Sequence, residues 1–247
     1  YNSGVMPLWA CSSACRSMSS FSSKQIILSL GLFFAFIYAI ARPSRAQIES
    51  SGLLGTSING GSETQSCNLG VCAISGGTNA GSNKFHRFTL FDANSPISGV
   101  TIETDSQSNI ILGIASSSNG FNLSVPLSLD SSANLFIVSP DGISLSTGAS
   151  FSNVVDLTLT NLSTLPLTSG QFSVNSSASE VQLLSAPPAL SLSTSSLSTT
   201  ASGSPITIGA VTLSVDGSLY VHAHSDLTLS NTTLNSSSTL DAGGNLT

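Results

Sequence analysis

The sequence predicts an all-β chain, a right-handed parallel β-helix with additional amino-terminal strands capping its open end. Apolar residues recur with period two in short bursts: Leu157 and Leu159 in "DLTLTN", Phe172 and Val174 in "QFSVN", Leu190 and Leu192 in "ALSLST", and Ile206, Ile208, Val211, Leu213 and Val215 in "ITIGAVTLSV". That alternation marks strands with one buried face, and Gly, Asn, Asp and Ser break it often enough to keep each strand at roughly three to six residues. Helical spacing is found only near the amino terminus. Similar segments also recur nineteen residues apart, Leu227 with Leu246 and Asn134 with Asn153, and about twenty residues make one coil of a β-helix. With coils stacked at about 4.8 Å, residues 47–247 would form on the order of ten of them.

The elements follow in chain order. Tyr1 at the start and a final "GGNLT" that stops inside a repeating pattern mark the chain as a piece of a longer reading frame. From Met18, "MSSFSSKQ" leads into an unbroken apolar run from Ile26 to Ala41, and "RPSRAQIES" follows, the layout of a secretory signal peptide. Ser44 and Ala46 place cleavage after Ala46, with Gln47 as the first mature residue. The rival reading is a membrane anchor, but a run of about 24 Å falls short of a hydrocarbon core of about 30 Å. Arg42 and Arg45 directly after the run favour the anchor. The residues before Met18, with Cys11 and Cys15, read as untranslated or artefactual.

Cleavage after Ala46 removes Arg16, Lys24, Arg42 and Arg45, leaving Lys84 and Arg87 against all 12 acids, a net charge near −10. A chain so poor in cations cannot track a phosphate backbone, which excludes nucleic acid as a partner. Disorder is excluded too, because 40% of the residues are hydrophobic and must be buried. Cys67 and Cys72 enclose the turn formers Asn68 and Gly70. A short-loop disulfide suits an exported chain, whereas a metal pair would need two more ligands and finds only His86 nearby.

Three segments carry a resemblance. "ISGGTNAGSNKFHRFTLFD" (74–92) has a glycine-rich stretch, Gly76 and Gly77, before Asn83, Phe85, His86 and Phe88; "SANLFIVSPDGISLSTGASF" (132–151) holds Asn134 and the turn Ser139, Pro140, Asp141, Gly142, Ile143; and "VQLLSAPPALSLS" spans 181–193. Together they resemble the amino-terminal secretion domain of filamentous-haemagglutinin-like exoproteins, in the version common among cyanobacteria. The chain departs from that family at Ser139 and Asp141, where Asn is usual; turn geometry survives, and stacking of Asn amides there is put in doubt. The organisation implied is a leader over 1–46, a two-partner secretion domain over 47–193, and from 194 to 247 the start of an adhesin repeat shaft.

The resemblance implies a secreted or surface exoprotein whose secretion domain is bound in the periplasm by the POTRA domains of a dedicated outer-membrane barrel. Folding outside the cell then helps pull the chain through. A host or cell-surface ligand would be met mainly by sequence beyond residue 247. No cofactor is implied.

A β-helical polysaccharide lyase or hydrolase is the competing class. It needs two carboxylates on one cleft, or a positioned base beside bound cations. The candidate acids are Asp92, Glu103, Asp105, Asp130, Asp141, Asp156, Asp216 and Asp226, and turn chemistry explains Asp141 and Asp216, each before Gly. No catalytic or metal site is expected. His222 and His224 in "VHAH" have the spacing of a surface chelate but read as two exposed polar residues. The Asn-x-Ser/Thr triplets at Asn122, Asn161, Asn175, Asn231 and Asn235 arise by chance in so Asn-rich a chain. A passive surface-layer or fibrous shaft, the third class, would not need the motif at 76–88.

Overall fold

The computed structural model describes residues 46–61, 65–115, 119–167, 170–175 and 203–247. The leader, the segment 181–193 and the strand expected around Leu190 and Leu192 lie outside them. All the described elements are strands, and the main sheet is mostly parallel. The first group is β1 (Gln47–Ser50), β2 (Thr56–Ile58), β3 (Ser66–Cys67), β4 (Gly70–Gly76) and β5 (Thr78–Ala80). Then come β6 (Asn83–Ala93), β7 (Ile97–Ile102), β8 (Asn109–Ile114), β9 (Phe121–Leu123), β10 (Pro126–Val138), β11 (Ile143–Leu145), β12 (Ser150–Thr160), β13 (Thr164–Leu167) and β14 (Gly170–Ser173). The last are β15 (Ile206–Gly209), β16 (Thr212–Leu213), β17 (Ser218–Ala223), β18 (Leu227–Ser230), β19 (Thr233–Leu234) and β20 (Ser237–Ala242).

Parallel pairing in the main sheet runs in three ladders, and β16 pairs with β19 in a separate parallel pair. One ladder joins β6, β8, β10, β12, β17 and β20, with Lys84, Ile110, Leu135, Leu157 and Leu219 in register. A second joins the end of β6 to β9, β11, β15 and β18, stacking Phe91, Phe121, Ile143, Ile206 and Leu227. The third joins β4, β7 and the first halves of β10 and β12. Alternation sends every second side chain to a shared core, where Phe91 stacks on Phe121 at 4.5 Å between ring centroids.

Each ladder starts on an antiparallel strand: β5 on the first half of β6, β1 on its second half, and β2 on β4. These strands occupy the backbone groups and apolar side chains that the first parallel strands would otherwise leave open.

The bond between Cys67 and Cys72, with Cα atoms 5.7 Å apart, ties β3 to β4. For a loop this short, replacing both cysteines with alanine should cost about 2 kcal/mol. The urea midpoint under non-reducing conditions measures it, and an unchanged midpoint would refute a stabilising role.

Spacing holds in one place and fails in another. Leu227 does bridge Leu246 in parallel. Asn134 and Asn153 are not in register: Leu135 pairs with Leu157, and the ladder slips between Ser128 and Leu135. Asn153 sits at that irregularity with φ +61° and donates Nδ2 to the Leu129 carbonyl at 2.7 Å. Among the described residues the longest parallel ladder holds six strands, against the ten or so coils expected. Successive partners are mostly more than twenty residues apart, 26 for Asn83 and Asn109 and 30 for Phe91 and Phe121, and 62 residues separate Leu157 from Leu219. The boundary expected at 193/194 lies outside the described residues; strands on either side of that segment pair in parallel, β11 with β15 and β12 with β17.

That long connection includes the antiparallel hairpin β13–β14. The hairpin covers the opposite side of the first ladder, where Phe85, Ile111, Phe136 and Val138 pack with Leu165, Leu167 and Phe172. It explains why "NIILGI" is buried on both faces. Gly113 leaves the room Phe172 needs, since a Cβ there would lie 2.7 Å from the ring.

Candidate functional site

The two described segments with a family resemblance lie in strands bound to a common neighbour. Asn109 donates Nδ2 to Oδ1 of Asn83 at 2.9 Å, and Asn134 donates Nδ2 to Oδ1 of Asn109 at 3.0 Å. Asn134 then accepts from the backbone N–H of Asp156, whose carboxylate accepts from the N–H of Ser218. The amide stack therefore exists, one strand away from the turn where Asn was expected. Sequence reasoning missed Asn109. Its signal was present: Asn83, Asn109 and Asn134 each precede by two a large apolar residue, Phe85, Ile111 and Phe136, on the hairpin side of the ladder.

Phe88 points into the main core and Phe85 into the hairpin cluster, where its ring meets Phe172 at 5.1 Å. By alternation Lys84 and His86 share the Phe88 side. Gly76 and Gly77 lie alongside with positive φ; a Cβ on Gly77 would sit 2.8 Å from the His86 ring, and one on Gly76 would overlap the Gly55 carbonyl. Ala46 and Gln47 stand at the start of β1, with Gln47 paired to Asp92.

At the turn, the N–H of Gly142 donates to the Ser139 carbonyl at 3.0 Å, placing Pro140 second and Gly142 fourth in a β-turn. The N–H of Phe121 donates to the Gly142 carbonyl, and Ile143 enters the core as the first residue of β11. The Asp141 carboxylate has no hydrogen-bond partner among the described residues. Ser139 Oγ is buried and also unpartnered. One strand further on, Asn161 occupies the Asn role: its Nδ2 donates to Ser204 O and Ser225 Oγ, and its Oδ1 accepts from the N–H of His224. The Asn161 side chain of this Asn-x-Ser triplet is thus buried and engaged, while Ser163 is exposed.

Both cations left after residue 46 are buried. Lys84 is 0% exposed and donates Nζ to Asp105 at 2.7 Å. Arg87 donates Nη2 to the Ser173 carbonyl at 2.6 Å and lies over the Phe172 ring. His86 is fully buried with no partner for either ring nitrogen. Burial first, then the Lys84 charge, lower its pKa from 6.5 to about 3, against a smaller opposing pull from Asp105.

The stability consequence has a definite sign. Between pH 6.5 and about 3 the unfolded chain binds a proton that the folded chain refuses, so stability falls as pH drops through that window. The loss approaches about 1.4 kcal/mol per pH unit. Urea unfolding at pH 7 and pH 4.5 should show a larger drop for the wild type than for His86→Leu, and equal drops would refute the assignment.

His222 was expected to be exposed but is 2% exposed. It stacks on Tyr220 and stands between Thr160 and Asp241 in the ladder, which crowds it from both sides. Burial lowers its pKa, and Asp241, 3.9 Å away, partly offsets that. His224 is half-buried. Among the described residues no three His, Cys, Asp or Glu side chains gather as metal ligands. The candidate acids are dispersed: Asp105 meets Lys84, Asp130 accepts from Thr104, Asp156 from Ser218 and Asp226 from Asn245. Asp92 contacts Asn94, and burial raises its pKa, a pull that this contact partly offsets.

Compared with known protein families, curated proteins and solved structures, the chain matches none.

Proposed function

We propose that this chain is a secreted exoprotein of adhesin type, exported through an outer-membrane barrel whose POTRA domains bind residues 47–193. In this reading the three ladders are the faces of a right-handed parallel β-helix, β1, β2 and β5 are its cap, and residues 194–247 open the repeat shaft. The observation that carries the reading is the Asn83–Asn109–Asn134 stack, which links the strands of the two resembling segments through side chains. The capped start supports it as well. Each added strand docks on an edge already formed, so folding can advance stepwise from the cap as chain emerges from a pore. With Lys84 and Arg87 buried, the surface offers nothing to a nucleic acid. The reading requires no catalysis, cofactor or metal.

The test is binding of the full chain, freshly diluted from denaturant, to immobilised POTRA domains of the barrel encoded beside it. Saturable binding that fades as the chain folds is expected. Absence of binding, or equal binding by an unrelated unfolded chain, would reject the proposal.

A further inference from the structure

We propose that the folded chain holds a binding site for a guanidinium group at the Ser139–Gly142 turn, taking an arginine side chain presented by a protein met after folding. The turn borders an open cavity of about 170 Å³ lined by Asn119, Asn122, Asp141, Ser144, Ser204 and Thr207, with Gly142 and Pro205 between them. Among the described residues, Asp141 is the only charged one lining it. Its carboxylate forms no hydrogen bond or ion pair among the described residues. Among the described residues no cation neutralises it, because Lys84 is committed to Asp105, and Arg87 to Ser173 and Phe172.

The remaining lining includes Ile143 and is mainly apolar in its exposed surface, with a few acceptors set into it. Asn122 donates Nδ2 to the Asn119 carbonyl at 3.1 Å, which leaves its Oδ1 to accept. The hydroxyls of Ser144 and Thr207 neighbour it on consecutive strands of the second ladder. A guanidinium brings five donors and no acceptor, and its planar fork suits a carboxylate beside further oxygen acceptors better than a compact ammonium does. Asp141→Asn removes the charge and keeps a residue suited to the turn.

The probe is N-acetyl-arginine amide, titrated into the full chain while the backbone amide resonances of Asn122, Ser144 and Thr207 are followed by NMR; N-acetyl-citrulline amide, of the same shape without the charge, is the control. Saturable shifts with the arginine probe are expected, at least about tenfold weaker with citrulline or in Asp141→Asn. Equal responses to the two probes, equal responses in wild type and Asp141→Asn, or no response at all would overturn the proposal. The lysine analogue N-acetyl-lysine amide should bind more weakly; tighter binding would overturn the choice of guanidinium. None of these outcomes depends on the transporter, so the export reading stands or falls separately.

Discussion

Asp105→Ala is expected to destabilise the fold by about 3 kcal/mol, the lower end of the cost of stranding a buried charge, while Lys84→Met should be neutral or stabilising. Lys84 is in register with Ile110 and Leu135, on the face of the ladder that lines the main core. Its ammonium, 0% exposed, has the Asp105 carboxylate at 2.7 Å. Removing Asp105 takes away the charge's hydrogen-bonded counter-ion and leaves only the weaker interaction with Asp130, and Asp105 is itself 41% exposed, which screens the pair; both keep the figure at the low end. Replacing Lys84 with methionine removes the charge and retains much of the stem's volume. Urea unfolding of both variants decides it. If Lys84→Met costs as much as Asp105→Ala, the pair is a net stabiliser and the asymmetry argued here is wrong.

Gly142→Val is expected to abolish appearance in the medium while leaving the periplasmic amount unchanged. Gly142 has φ +99°, in the region that favours glycine, and a Cβ there would lie 2.7 Å from the Pro205 carbonyl and 3.0 Å from Ser204 Cβ. The first neighbour is backbone and cannot turn aside. Strain alone is worth about 1–3 kcal/mol, and relieving the contact means shifting the residues before β15, which the Ile143 N–H bonds through Pro205. Leu135 and Ile137 before the turn and Ile143 after it all face the main core, so a displaced turn misplaces the whole of β11. The double variant Pro140→Ala with Asp141→Ala should also reduce secretion, through loss of the fixed φ at the second turn position. Normal amounts of both variants in the medium would remove these residues from any role in folding or recognition.

The strands and the turn were legible because period two and turn chemistry are local. Ser-Pro-Asp-Gly announces a β-turn by residue type, and Leu227 and Leu246 fall in register because the last connection has no insertion. Asn134 and Asn153 misled for the opposite reason: an irregularity between β10 and β12 consumes residues that spacing alone cannot see. The hairpin β13–β14 was visible as alternating Phe172 and Val174, but alternation does not say which surface a strand will cover. "NIILGI" and "NLFIV", apolar at consecutive positions, held that information, since strands buried on both faces need a cover on each. Composition counted Lys84 and Arg87 correctly and said nothing of their burial, because only the fold turns Lys84 onto the core face and carries Ser173 and Phe172 to Arg87.

Export by a dedicated barrel is the central claim, and its most direct measurement is the amount of wild-type chain in the culture medium of a host that carries a candidate POTRA-barrel transporter gene, with that gene present and deleted. With the gene present, the chain should accumulate outside the cell. With it deleted, the chain should be lost from the medium and remain in the periplasm or be degraded there. Equal amounts in the medium in both strains would contradict the account.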